Sequence, residues 1–131
     1  MLTNPEIGAL AEEDACQFLE KRGLQFIEKN YYVVNEAGKK IGEIDLIMRD
    51  KAYLVFVEVK KREQNDYGDV LEMITPQKQS RIIRTAKHYL VRTYQFNNTF
   101  CRFDVIGITP DKKDPCGQHF IWIKDAFQVK C

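Results

Sequence analysis

Apolar positions recur along this chain with two periods. Ile7, Leu10, Ala11, Ala15, Phe18 and Leu19 return at helical spacing. With Asn4 as cap, Pro5 in the first turn and Glu6 at the positive end, they predict a helix from about Asn4 to Lys21, closed by Gly23. Residues 24–34, LQFIEKNYYVV, read as a strand, and NEAGKK as a turn. IGEIDLIM and YLVFVEVK predict two more strands joined by the polar turn Arg49–Asp50–Lys51–Ala52. A charged loop, 61–74, leads to a second helix that Thr75 caps and Pro76 opens, running to about Tyr94. FCRFDVIGI at 100–108 and HFIWIK predict the last two strands. The order α-β-β-β-α-β-β predicts an α/β protein with a mixed sheet of about five strands flanked by helices. No repeat or linker interrupts it, and 131 residues suit one domain, 1–131.

The hairpin at 41–61 carries the chemistry. If Arg49 faces Ala52, alternation puts Ile44, Leu46, Met48, Tyr53, Val55, Val57 and Val59 on one wholly apolar face. The other face carries Glu43, Asp45, Ile47, Leu54, Phe56, Glu58 and Lys60, apolar near the turn and ionic at the far end. That register sets Glu43 opposite Glu58, and a slip of one residue would separate Asp45 from Glu58. Like charges facing each other across strands destabilise a sheet, so solvent, protonation, Lys60 or a bound cation must offset them. Two or three carboxylate oxygens plus water is how proteins commonly hold magnesium. The bland alternative is a solvated ion pair on an edge strand, worth ~0–1 kcal/mol. Glu-x-Lys is expected about once by chance in a chain of this composition, and it occurs once. Glu12 lies close to the apolar stripe of the first helix, where a carboxylate needs a partner or a path to solvent.

Net charge is +1, but its distribution is uneven. Residues 1–28 hold six acids and two bases, whereas 73–103 hold Lys78, Arg81, Arg84, Lys87, Arg92 and Arg102 with no acid. On the second helix, Ile82, Ile83, Ala86, Tyr89, Leu90 and Tyr94 fall on one side. Lys78, Arg81, Arg84, His88 and Arg92 fall on the other. A solvated helix face usually mixes both signs; one without acids suits phosphate contact, and Lys78 sits in the first turn, where amides also attract phosphate. Lys39, Lys40, Lys61 and Arg62 flank the acidic cluster. No base-reading motif is present, so phosphate and shape recognition is expected. The loop 61–74, with Tyr67 and Gly68, either folds over a bound strand or simply joins two elements. Asp104, following Arg102, reads first as a local ion pair.

Four widely spaced cysteines argue against a zinc site or a disulfide scaffold; Cys16 and Cys101 are expected as buried thiols, Cys116 and Cys131 in loop or tail. The longest apolar run, AYLVFV, stops at Glu58, and the N-terminus lacks the features of a secretory signal. The expectation is a cytoplasmic protein with no membrane association and no small-molecule cofactor.

GEIDLIMRDKAYLVFVEVKKR resembles the central motif of the YraN-like proteins, a bacterial group in the PD-(D/E)xK nuclease superfamily. The pattern G-x-x-A-E-x-x-A-x-x-x-L at 8–19, Lys78, RFDVIGI at 102–108 and WIKDAF at 122–127 resemble the rest of that family, so the likeness spans the chain. The resemblance implies a restriction-endonuclease-like core. It implies that Asp45 is the first metal-binding acid, Glu58 and Lys60 the E-x-K, and Glu12 the helix glutamate that completes the site, as in enzymes similar to archaeal Holliday junction resolvases. Glu43 belongs to the GEID pattern, with backbone or supporting roles both open. Ile44 stands where the superfamily's name has proline, as in many members. The implied activity is magnesium-dependent cleavage of DNA, branched or structured DNA included, with manganese as a substitute ion. The alternative is a non-cleaving nucleic-acid-binding module acting with a partner in DNA processing. Resolvase-like relatives pair two sites, so a homodimer is compatible with this reading.

Overall fold

The computed structural model describes residues 2–62, 70–111, 113 and 117–129. Tyr67, Gly68, Cys116 and Cys131, singled out above, lie outside the described residues. The elements are helix α1 (Asn4–Glu20), strands β1 (Gln25–Val34), β2 (Lys40–Asp50) and β3 (Tyr53–Lys61), a short 3-10 turn at Val70–Met73, helix α2 (Pro76–Arg92), and strands β4 (Phe100–Pro110) and β5 (Gln118–Phe127). The strands lie in chain order in one sheet, β1-β2-β3-β4-β5. β3 and β4 are parallel, with α2 in the crossover, and the other pairs are antiparallel. This is the expected α/β architecture, a five-stranded mixed sheet flanked by two helices.

Each helix covers one face. α1 lays Ala11, Ala15 and Leu19 against Leu46, Met48, Val55, Val57, Ile106 and Ile108. α2 lays Ile82, Ala86, Tyr89 and Leu90 against Ile47, Leu54, Phe56, Phe103 and Val105. The central strands β2 and β3 are buried on both faces, which is why they read as near-continuous apolar runs. Each buried Leu, Ile, Val or Phe here contributes ~1.5–3 kcal/mol of transfer free energy.

Several local expectations are corrected. Thr3, not Asn4, caps α1: its hydroxyl accepts from the Glu6 amide at 3.3 Å, and the Glu6 carboxylate accepts from the Thr3 amide at 3.4 Å. This reciprocal box satisfies two otherwise orphaned donors. Leu10 is exposed, because Ala11 and Ala15 take the contact line. Tyr94 follows the helix in a left-handed conformation (φ 60°) and points into solvent rather than sharing the apolar face. Cys16 and Cys101 are free thiols but only partly buried.

The β2–β3 turn also differs. Asp50 faces Tyr53, leaving Lys51 and Ala52 as the two-residue turn, with Lys51 at φ 56°. Two-residue hairpin turns favour such positive φ values. Opposing positions move by two residues, so every side chain keeps its face while its partner changes. Ile44 is the exception: it packs with the α2-side cluster, whereas Leu46 and Met48 pack with α1.

At the turn end of the hairpin, Asp104 on β4 is fully buried. It accepts from Arg102 Nε at 3.0 Å, Trp122 Nε1 at 3.0 Å and the Asp125 amide at 2.9 Å, and Arg102 also reaches Asp50 at 2.8 Å. The expected Arg102–Asp104 pair is thus part of a knot joining the β2–β3 turn to β4 and β5.

Where α2 crosses β2, Gly42 lies directly beneath Thr85, and a Cβ there would overlap the Thr85 hydroxyl. That hydroxyl also donates to the Arg81 carbonyl at 2.8 Å. Gly42→Ala is therefore expected to destabilise the protein by ~1–3 kcal/mol, the usual cost of overpacking. Adding Thr85→Ala should recover part of the loss, because the obstructing atom goes. Denaturant titration of the three variants checks this, and additive losses would contradict the close approach.

Candidate active site

The β2–β3 ladder is paired from Asp50–Tyr53 to Leu46–Val57 and stops there. Continuing its register would set Asp45 abreast of Glu58, and Glu43 abreast of Lys60. Asp45 instead turns its carboxylate onto the neighbouring strand: Oδ2 accepts from the Val59 amide at 2.8 Å. A side chain thus takes a donor that a backbone carbonyl would otherwise hold.

Around Asp45 gather the other candidates. Glu58 is within hydrogen-bonding reach of Asp45 and lies 3.5 Å from the Lys60 ammonium, both side chains being largely buried. Burial, then the charge of Asp45, push the Glu58 carboxyl up to about 8, against the pull of Lys60 and Lys78. Glu12 reaches Asp45 from α1, and burial followed by the Asp45 charge raise it to about 7. Opposing that rise, the Asn30 side chain, with its nitrogen turned to Glu12, donates to both carboxylate oxygens at 3.0 and 3.1 Å. Glu43 forms an ion pair with Lys40 at 3.5 Å and faces the same region.

The cluster opens into a cleft of about 580 Å³. Asp45, Glu58 and Glu43 line it together with Lys39 and Lys40 from the β1–β2 hairpin and Lys78 and Arg81 from α2. Thr75 caps α2 by accepting from the Lys78 amide at 3.2 Å. The close approach of the Lys60 ammonium, with burial, holds the Lys78 ammonium below the usual lysine range. Lys78 is therefore part of the acidic cluster itself and not only of an outer basic face.

Not all the expected contacts converge. Arg84 is exposed and outside the described lining of the cleft. Arg92 lies 3.7 Å from Glu28 with its guanidinium over the rings of Tyr31 and Tyr89, away from the cleft. His88 shares a 2.7 Å hydrogen bond with the Tyr31 hydroxyl. Lys61 and Arg62 lie at and just past the end of β3, where the Arg62 amide donates to the Ile108 carbonyl at 2.9 Å. They too fall outside the described lining of the cleft. Asn30 was missed by sequence reasoning. Its one signal was an isolated Asn inside an otherwise strand-forming run, where Asn is disfavoured.

Among the described residues, no three acidic, histidine or cysteine side chains form a ready-made metal cage. Glu12 and Glu58 approach Asp45 from opposite sides of the sheet. Magnesium is commonly held by one or two carboxylates with water completing the shell, and the Asp45–Glu58 pair fits that need. Burial first, and the neighbouring Asp45 charge second, raise Glu58, so the pair has charge that a cation would offset. No helix among the described residues is long and apolar enough to cross a membrane.

An α/β domain whose central hairpin parts around a carboxylate–lysine cluster is the class these observations define. The chain belongs to the family described as "Uncharacterised protein family UPF0102", whose model matches residues 11–108. It is 44% identical to a UPF0102 protein of Nitrosococcus oceani over 98% of this chain and 96% of that one. It is 43% identical to one from Coxiella burnetii (95% and 94% covered), and 39% identical to one from Legionella pneumophila (96% and 98% covered). The matched stretch, 11–108, spans the positions of Glu12, Asp45, Glu58, Lys60 and Lys78.

Glu12 and Glu58 hold their protons more tightly in the folded protein than the ordinary value of 4.5 allows. Their contribution to stability is complete below about pH 4.5 and is lost as pH rises through about 7 and about 8. Without divalent cations, Glu58→Gln is thus expected to melt higher than wild type at pH 8.5, by roughly 1–2 kcal/mol. The gap should close at pH 5. Thermal melts in EDTA at the two pH values decide it; an equal or lower midpoint for the variant at pH 8.5 would contradict the crowding.

Proposed function

We propose that this protein is a magnesium-dependent endonuclease of the PD-(D/E)xK type, hydrolysing phosphodiester bonds in DNA, branched or structured DNA included. The observation that carries the reading is the meeting of Asp45, Glu58 and Lys60 where β2 and β3 part: Asp45 and Glu58 line a cleft edged by Lys78 and Arg81, and Lys60 is tied to Glu58 beside it. Phosphodiester hydrolysis needs a nucleophile held in line and positive charge placed where the phosphoryl oxygens gain negative charge. This set of side chains can meet both needs.

Asp45 and Glu58 would hold the magnesium ion, for which manganese could substitute. When bound, the ion supplies Lewis-acid stabilisation at a phosphate oxygen. The Val59 amide fixes one oxygen of Asp45, and Asp45 itself lines the cleft. Lys60, tied to Glu58, would orient the attacking water or offset charge on the phosphoryl group. Lys78 adds a second ammonium from α2 beside it. Glu12 reaches Asp45 from behind and would complete the acidic set, while Glu43, paired with Lys40, supports the rim. Lys39, Lys40, Lys78 and Arg81 edge the cleft on two sides and would bind backbone phosphates. Arg84, Lys61 and Arg62 would extend that contact further along a strand. Arg92, engaged with Glu28, would act at most at the periphery.

The test is cleavage of a labelled panel of single strand, duplex, flap and four-way junction with magnesium or manganese. Wild type should cut at least one member. Lys60→Ala should lose about 10²–10³-fold in rate, as for removal of one group that stabilises transition-state charge. Asp45→Asn should abolish cutting and the rise in melting temperature that manganese gives the wild type. Salt-sensitive binding that survives Glu58→Gln, with no cutting by any variant, would instead leave a nuclease-like fold used only for binding.

A further inference from the structure

Asn30 is the unexpected member of the cluster. It stands on β1 between the pairs Lys29–Leu46 and Tyr31–Ile44, and therefore beside Asp45. Tyr31 and Ile44 pack on the α2 side, whereas Leu46 packs on the α1 side and Lys29 lines the α1-side cleft with Glu12 and Cys16. On an undisturbed strand, residues two apart share a face. Both strands thus exchange faces at the same point, β1 at Asn30 and β2 at Asp45. Asn30 makes the exchange with a left-handed backbone, φ 54°.

Among residues with a Cβ, Asn and Asp adopt that conformation most readily, but glycine does so with no steric cost. The backbone requirement alone therefore calls for glycine. Asn30 adds an amide, and that amide meets both oxygens of Glu12, the residue that touches Asp45 from α1. Two carboxylates in contact repel, and a two-point donor on one of them fixes its orientation without adding charge.

We propose that Asn30 is a positioning residue of the candidate site: its side-chain amide holds the Glu12 carboxylate in place against Asp45, and the left-handed turn at Asn30 aims it there. This rests on the nuclease reading for its consequence, though not for the contact itself. Groups that orient a metal-binding set typically cost 10–100-fold in metal affinity or activity when removed.

Asn30→Gly tests it, because the variant keeps the backbone conformation and loses only the amide. It should weaken manganese binding, read by calorimetric titration, and lower kcat on the best-cut panel member by about 10–100-fold, with KM for DNA unchanged. Asn30→Asp also tolerates the backbone but sets a third carboxylate against Glu12, and should be worse than Asn30→Gly. In a Glu12→Ala background, Asn30→Gly should add less than about twofold, since a residue acting through Glu12 has nothing left to orient. The same factor lost in both backgrounds, or no loss in the wild-type background, overturns the proposal. Should wild type neither bind manganese nor cut, the nuclease reading fails on that result alone. Melting midpoints of the same four proteins of the cycle in EDTA at pH 8 then judge the contact: coupling sustains it, and additivity overturns it.

Discussion

The 2.8 Å hydrogen bond from the Val59 amide to the Asp45 carboxylate holds the site in its present form. Where β2 and β3 stop pairing, each exposed donor and acceptor needs a new partner. Asp45 supplies one, and in doing so lets the two strands diverge without leaving an amide unsatisfied. The divergence opens the cleft. It also brings Glu58 and Lys60 beside Asp45, and leaves room for α1 and α2 to contribute from opposite faces. A straight, fully paired hairpin would have buried these charges against neighbouring strands.

The two ends of the hairpin handle charge in opposite ways. At the turn, Asp50, Arg102 and Asp104 form a closed set: Asp104 is fully buried, yet its oxygens accept from Arg102, Trp122 and a backbone amide. Charges satisfied in this way favour a fixed arrangement. At the open end, three carboxylates crowd together with two lysines, and burial drives Glu12 to about 7 and Glu58 to about 8. Perturbed groups gathered at a cleft in this way are what support the proposed reading of the site. α2 is held over the open end by the close approach of Gly42 and Thr85, which carries Lys78 and Arg81 to the rim. α1 is held by Ala11 and Ala15, whose small side chains let Glu12 approach the sheet.

Much of this was legible beforehand. The alternation of β2 and β3 announced one apolar and one part-ionic face, and it survived a wrong choice of turn. Moving the turn by one residue at each end shifts the register by two, and a period of two returns every side chain to its face. The partners changed, so Asp45 rather than Glu43 came beside Glu58. Ile44 could not be read this way, because the strands exchange faces at Asn30 and Asp45 and simple alternation fails across that point. Arg92 looked equivalent to Arg81 on a helical wheel, but Glu28 and two tyrosine rings engage it at the far end of α2.

By itself the sequence determined the elements, their order, the apolar and part-ionic faces of the hairpin and the Asp45–Glu58–Lys60 set, since these follow from local periodicity and from residues close together along one hairpin. The tertiary structure decided which distant groups join them. Lys78 meets Lys60, Asn30 grips Glu12 and Thr85 seats on Gly42 because α1, α2 and β1 pack against the parted strands at particular depths and rotations. Such distances depend on the packing of the whole sheet, and no spacing along the chain encodes them.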